Sequence, residues 1–448
     1  MSLDVAALLK KGFFDTVLQV FATTGVRFAL VLAIFILSRF VSNDEIATYD
    51  LFVVASSILL ILLTCGLDSG LVIVARTDDA QDQAVYLWLA LAICLVLSLI
   101  LYLPLRFGAA SLGLGSIFDV RVFTAAYLYA VGNAMMTLLF SYYRWLGNAR
   151  AAALIIIMAN IVGFLCAAFA FSSERSVVAF VDGLLIGTLI GVVAAVVYVL
   201  RQVEFPRHRI NSANARRFVT TLISMSWPFG IASLLLIARR AVDRTIIVST
   251  GLAALLGAYA LVSRSGEVAA FLFALPALGF APIIIRDHAT DAGQKIARGL
   301  YLGYVGLSVA VMLVGVSLWM AFGEALFPAN VRDAAPVFLA LLAGNLLFTE
   351  TTVAGFGFVI VQRTWLVAVL SLLFIVVNVA VAVPLSMVGY GLEAVAAGYL
   401  VASYVHSTAF IYLSEKHVRF GYPLHAIILI KSIITAGILT LLFLGVNA

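Results

Sequence analysis

The chain has 448 residues, 64% of them apolar and 11% charged, and carries a net charge of +5; its mean hydropathy is +1.15. Soluble domains are about 45–50% apolar and about 25% charged, so a water-soluble enzyme is excluded: too little polar surface exists to cover a soluble particle of this size. Disorder, collagen and a disulfide scaffold are excluded on the same ground. The three cysteines, Cys65, Cys94 and Cys166, lie in apolar runs and predict neither a disulfide nor a metal site.

A membrane helix needs about 20 mostly apolar residues. In chain order, thirteen runs meet this: 16–40, 46–75, 84–105, 119–143, 151–171, 179–200, 218–248, 252–284, 297–321, 334–360, 365–387, 391–413 and 424–445. Three of them, 46–75, 218–248 and 252–284, exceed one crossing, which implies tilt or included loop residues. The runs are too long and too uniformly apolar for β-barrel strands. The expected fold is an all-α polytopic membrane protein with twelve to fourteen spans, thirteen by count.

Orientation follows from Lys and Arg in the loops. With the N-terminus inside, sixteen fall in inside loops and four, Arg39, Arg106, Arg175 and Arg332, in outside loops. The other seven, Arg27, Arg121, Arg239, Arg240, Arg244, Arg264 and Lys431, lie within or at the ends of spans. The basic residues are spread over loops rather than clustered, so no nucleic acid is expected as a partner. The N-terminal segment MSLDVAALLKKGFFDTVLQ is amphipathic and leads into a full-length span, so the first helix is read as its own insertion signal with an apolar face along the cytoplasmic interface.

The longest inside loop, 201–217, holds five Arg residues and Pro206. It is read as a basic linker dividing a six-helix lobe, 1–200, from a second six-helix lobe, 218–414, with 415–448 as an additional C-terminal transmembrane segment. An internal repeat agrees with that division. Ser38 aligns with Ser249, Tyr49 with Tyr259, Arg76 with Arg286 and Arg27 with Arg239, at offsets of 210 to 212. An even number of helices per half gives both halves the same orientation, related by a pseudo-two-fold along the membrane normal. That is a transporter architecture, in which substrate binds between halves and access alternates.

Three stretches carry a family resemblance. They are Thr64 to Arg76 (TCGLDSGLVIVAR); Asp243-Arg244 followed by Gly257-Ala258-Tyr259; and Asn378 to Ser403 (NVAVAVPLSMVGYGLEAVAAGYLVAS). Together they resemble the polysaccharide-transporter, or O-antigen flippase, branch of the multidrug/oligosaccharidyl-lipid/polysaccharide exporters. The resemblance implies flipping of a lipid-linked oligosaccharide, usually on undecaprenyl diphosphate, from the cytoplasmic to the periplasmic leaflet of the bacterial inner membrane. It also implies membrane lipids and a polysaccharide polymerase or export complex as partners. The sequence departs from the family's twelve or fourteen spans, and Asp68 stands where small residues are usual.

A charge at the bilayer centre costs about 2.5–3.5 kcal/mol on insertion scales, so intramembrane ionisable residues default to function. Arg27, eleven residues into its span, is expected to face a central cavity and grip a diphosphate with its planar fork of donors; the plainer alternative is an Arg paired for packing. Arg239, its repeat mate, would complete a clamp, or else snorkel to headgroups. Arg240, Asp243 and Arg244 share one helix face, with Asp243 neutralising one Arg and leaving a net positive strip for the substrate, unless these residues snorkel to the headgroups. Arg264 and Glu267, three apart, form either a self-neutralised pair or a gated cavity cation.

Glu350 has no charged neighbour on its own helix. It is read as the partner of an Arg in span seven or eight, or as a site for a coupling H+ or Na+; Asp68 is the similar candidate in the first half. Glu393 and Asp182 are expected at the interface. Tyr127, Tyr129, Tyr142, Tyr143 and Trp145 are read as an interfacial aromatic belt rather than a sugar platform. Gly183, Gly187 and Gly191 are read as close helix contacts.

No nucleotide-binding loop, metal cluster or nucleophile constellation occurs, the five His are scattered, and no cofactor is expected. Three readings compete with the flippase. A cation-coupled multidrug exporter of the same superfamily would have to tolerate the intramembrane Arg excess. A membrane glycosyltransferase or polymerase needs a larger loop than this chain has. A structural scaffold within a polysaccharide-export complex is compatible with the composition.

Overall fold

The structure is a computed structural model. It describes residues 29–30, 33–34, 36–74, 80–111, 120–145, 149–203, 212–267, 284, 288–326, 335–361, 363 and 365–444. Among the described residues all regular structure is helical. Ten described helices are long and apolar enough to cross a membrane. An eleventh is a bent pair, Arg216–Ser224 and Phe229–Ser249, at 43°. These match eleven of the thirteen expected runs; of the other two, 16–40 lies largely outside the described residues and 252–284 is described over 252–267 and at 284, while Arg27, Arg76 and Arg286 lie outside the described residues. Helix suits this chain because lipid offers the backbone no hydrogen-bond partners.

The chain forms two compact units, one made chiefly of Phe40–Ile237 and the other of Val31–Arg39 with Ala238–Ala448. The first contains α1 (Asn43–Thr64), α2 (Leu67–Val74), α3 (Ala80–Ser111), α4 (Val120–Trp145), α5 (Ala149–Glu174) and α6 (Val177–Gln202), and the start of α7 (Ser212–Ser249). The second contains the end of α7, helical residues 256–267, α8 (Asp291–Leu326), α9 (Ala335–Ala354), α10 (Phe356–Ile360), α11 (Trp365–Met387), α12 (Leu392–Val418) and α13 (Leu424–Leu444). The boundary between compact units falls inside α7, some way past the 201–217 linker expected to separate the lobes. The cause is local: the two ends of this 38-residue helix pack within different units.

In the first unit, α1 begins at a capping box. Ser42 Oγ accepts from the Glu45 amide at 3.4 Å and Glu45 Oε2 accepts from the Ser42 amide at 3.2 Å, which satisfies two donors left open at a helix start. The run read as one long span over 46–75 is broken. Cys65 (φ 44°) and Gly66 (φ 75°) are left-handed, ending α1 before α2 begins. A Cβ on Gly66 would lie 2.2 Å from the Ser226 carbonyl oxygen, so only glycine lets this break press against α7. Asp68 stands in the first turn of α2, where a carboxylate opposes the positive end of the helix dipole.

The close-contact reading of the glycines is correct. A Cβ on Gly183, Gly187 or Gly191 would come within 2.3–2.5 Å of Ala167, Gly163 or Ala159, so α5 and α6 touch along their backbones. The aromatic reading needs correction. Tyr127, Tyr129, Tyr142 and Tyr143 are all buried; Tyr127 donates to the Ser98 carbonyl at 2.6 Å and Tyr129 packs on Phe52 at 5.4 Å. They form the core around α4, not a belt at the headgroups, because α4 contacts α1, α2, α3, α5 and α6 and has little free face. The Trp145 side chain lies outside the described residues. Asp182 pairs with an exposed Arg121 near a span end, and Glu393 sits in the first turn of α12.

In the second unit α12 occupies the position that α4 holds in the first, with α9, α10, α11 and α13 packed on it. Gly398 lets α11 approach: its Cβ would meet the Asn378 carbonyl at 2.9 Å and Ala382 at 2.7 Å. The repeat keeps a structural role. Tyr49 donates to the Leu30 carbonyl at 3.0 Å, and Tyr259 donates to Asp243 Oδ2 at 2.8 Å. In each unit this tyrosine ties its helix back to the preceding one.

Candidate functional site: a buried charge cluster in the second unit

Arg239, Asp243 and Arg244 of α7 are buried, at 8%, 1% and 3% exposure. Asp243, one helical turn beyond Arg239, does not neutralise it directly. Its carboxylate accepts from Tyr259 and, at 2.6 Å, from the Asn378 amide of α11. Its ion pair is with the adjacent Arg244, at 3.9 Å, whose guanidinium also lies 5.2 Å from the Tyr259 ring.

Arg239 enters an aromatic box. Its guanidinium carbon stands 3.5 Å from the Phe348 ring centre, 5.6 Å from Tyr399 and 5.9 Å from Phe374. It donates to the Tyr399 hydroxyl, which in turn donates to Asn345 Oδ1 at 2.7 Å. Ring faces carry negative quadrupole density and hold a cation without neutralising it. Among the described residues no carboxylate forms an ion pair with Arg239. Its burial argues against the snorkelling alternative; the clamp with Arg27 involves a residue outside the described ones. The Arg240 side chain lies outside the described residues.

Arg264 and Glu267 form the intrahelical pair that their spacing allows, at 2.8 Å. Glu350 overturns its expected partnership. Its cation is Lys431 of α13, at 2.6 Å, not an Arg of span seven or eight. Tyr301 of α8 also donates to it, and the Tyr422 ring packs against Tyr301, tilted, at 4.6 Å. Lys431 Nζ reaches Ser407 of α12 at 3.3 Å. A carboxylate and an ammonium, both 2–4% exposed, are held here because each meets further polar groups. A mainly apolar cleft borders the pair, lined by Tyr304, Met312, Leu346 and Ile430 among others. Among the described residues, no group of three His, Cys, Asp or Glu could hold a metal ion.

Sequence reasoning placed Lys431 in a span but gave no role to it, nor to Tyr399, Asn345, Asn378 or His406. Lys431 carried a usable signal, a lone cation inside an apolar helix. Asn378 and Tyr399 belong to the stretch that carried the family resemblance, but no role was read from them.

The family described as "Polysaccharide biosynthesis protein" matches residues 9–264. No curated protein matches the chain. Among solved structures, the chain is similar to the inward-facing conformation of a multidrug resistance MATE family transporter of the MOP superfamily. The TM-score is 0.68 and the identity 14%, over 90% of this chain and 94% of that one. It is similar to the outward-facing conformation of such a transporter at TM-score 0.61 and 16% identity, over 92% and 96%. A MOP superfamily transporter from Pyrococcus furiosus, described by a reversed polarity of its binding pocket, aligns at TM-score 0.62 and 15% identity, over 92% and 96%. At these identities the solved structures show a shared fold. The family match spans more than half of the sequence, and the chain belongs to the polysaccharide biosynthesis protein family.

Proposed function

We propose that this chain flips a lipid-linked oligosaccharide across the bacterial inner membrane, from the cytoplasmic to the periplasmic leaflet, for surface polysaccharide synthesis. The observation that supports this most directly is Arg239, a buried guanidinium held by rings and a hydroxyl rather than by a carboxylate. Such a cation keeps its charge available to an anion, and a diphosphate matches the guanidinium fork. Arg244 and Arg264, each tied to a carboxylate, serve in this reading as secondary cations whose partners can yield to substrate phosphate. The protein presents the carrier alternately to the two leaflets, with its N-terminus in the cytoplasm and an H+ or Na+ gradient as the energy source. A polymerase or export complex receives the product. It is a transporter rather than an enzyme.

A cation-coupled multidrug exporter is the alternative that the solved structures bring to mind. The aromatic box of Phe348, Phe374 and Tyr399 would suit an organic cation, but Arg239 occupies it.

The test is the ligand-induced shift in melting temperature of the purified protein and of Arg239→Gln. The probes are an undecaprenyl-diphosphate saccharide and a cationic dye. The proposal expects stabilisation by the glycolipid, lost in the variant. Stabilisation by the dye alone overturns it in favour of the exporter.

A further inference from the structure

Between the two charge groups of the second unit runs a buried polar stripe on α12. Tyr399, Ser403, His406 and Ser407 recur at spacings of four, three and one, which places them on one helix face. At about 1.5 Å per residue, Tyr399 and Ser407 lie ~12 Å apart along the axis. At the upper end of the stripe Tyr399 accepts from Arg239, and the adjacent Gly398 lies against Asn378 of α11, which donates to Asp243. The lower end joins Lys431 and Glu350.

Among the described residues, the groups between them have no hydrogen-bond partner. Ser403 and His406 are both 0% exposed, yet neither Ser403 Oγ nor either ring nitrogen of His406 meets a partner there. Asn378 Oδ1 at the upper end and Thr435 Oγ1, one turn from Lys431, are likewise unpartnered. Buried polar atoms are nearly always paired, and an exception calls for water, an ion or a function. Packing alone does not account for a histidine here. The ring stacks on Phe348 at 4.9 Å and 7° and meets Phe374 edge-on at 6.0 Å. Another aromatic ring would fill that role without two orphaned nitrogens.

We propose that His406 is a proton-relay residue between the Asp243 and Glu350 groups, which makes H+ the coupling ion of the transport reading above, on which this inference rests. A neutral imidazole donates at one nitrogen and accepts at the other. A proton arriving at the open nitrogen forms one N–H bond while the opposite N–H bond breaks and passes its proton on. The ring ends in its other tautomer with no net change in charge. Water between Ser403, His406 and Ser407 completes the connection, since a polar site with several partners is one that holds water. The proton ends on Glu350, forming an O–H bond and releasing Lys431 from its ion pair. Among the described residues, the charged and titratable groups along the stripe are Arg239 from α7 and Tyr399 of α12 itself at its upper end, with Lys431 from α13 and Glu350 from α9 at its lower end; α11 contributes Phe374 against the ring.

The test uses the full chain in liposomes with a trapped pH-sensitive dye and an inward H+ driving force set by K+ and valinomycin. No oligosaccharide is present, so its result stands apart from that of the flippase reading. The expected result is acidification faster than in protein-free liposomes for the wild type and for Thr440→Ala, an exposed α13 position. His406→Phe and Glu350→Gln should each fall to the protein-free rate. A wild type no faster than protein-free liposomes, or a His406→Phe rate equal to wild type, overturns the proposal. If His406→Phe does not fold, His406→Gln is read the same way, because it keeps a donor and an acceptor but cannot relay a proton.

Discussion

In the first unit, α5 and α6 meet backbone to backbone at Gly163, Gly183, Gly187 and Gly191, and the α1–α2 break presses Gly66 and Gly70 onto Ser226. The Arg121–Asp182 pair there is exposed, with Arg121 62% accessible. In the second unit, α7, α9, α12 and α13 are joined by Arg239–Tyr399–Asn345 and Lys431–Glu350, all buried. Small residues bring helices close because lipid gives apolar side chains no reason to prefer each other. Charges join them because an unpartnered charge has nowhere else to go. The lesson is that close contact holds both units, as at Gly398 in the second, while the second adds buried charge compensation between its helices. Charge can be redistributed by a proton or an anionic substrate, whereas backbone contact cannot. Chemistry is therefore sought in the second unit.

The largest test of this contrast is Lys431→Met. Removing one partner of a buried pair costs about 3–5 kcal/mol, so the melting temperature should fall sharply. The double variant Lys431→Met/Glu350→Gln should regain most of the loss. If the double variant melts as low as the single one, Lys431 acts through packing and the charge-compensation account of this unit fails.

Gly187→Val comes next, in the first unit. Its Cβ would meet the Gly163 Cα at 2.3 Å, and overpacking costs about 1–3 kcal/mol. The melting temperature should drop by a corresponding amount at every salt concentration, since no charge is involved. A wild-type melting curve would show that α5 and α6 can separate without loss.

Arg239→Lys retains the charge but loses the planar stack on Phe348. A cation–π contact is worth about 0.5–2 kcal/mol, so a modest loss of stability is expected, together with weaker protection by the diphosphate glycolipid. Equal protection in Arg239→Lys would mean that only the point charge matters. Arg121→Ala is the smallest effect. Exposed pairs contribute about 0–1 kcal/mol, and melting in high salt should erase any difference from wild type.

Much of the fold was legible because lipid imposes a simple rule on sequence. A run of suitable length and apolarity must be a helix, and eleven of the thirteen runs correspond to described helices or the bent pair. The glycine contacts were legible too, because a four-residue spacing puts small residues on one face. The aromatic assignment failed at Tyr127 and Tyr143 because a ring's position along a helix does not say which side of that helix is covered.

The site divides in the same way. That Arg239, Asp243, Arg244, Arg264, Glu267 and Glu350 lie in apolar surroundings was plain from the sequence. So was the Arg264–Glu267 pair, since both residues sit on one helix three apart. Sequence by itself determined the class of protein, the helical runs and the inventory of buried charge, because all three depend on local composition. Only the tertiary structure decided that Glu350 meets Lys431, that Asp243 turns to Tyr259 and Asn378, and that rings rather than a carboxylate receive Arg239. Those partners lie on other helices, and which helices become neighbours is set by packing across the unit, which no spacing along a single helix records.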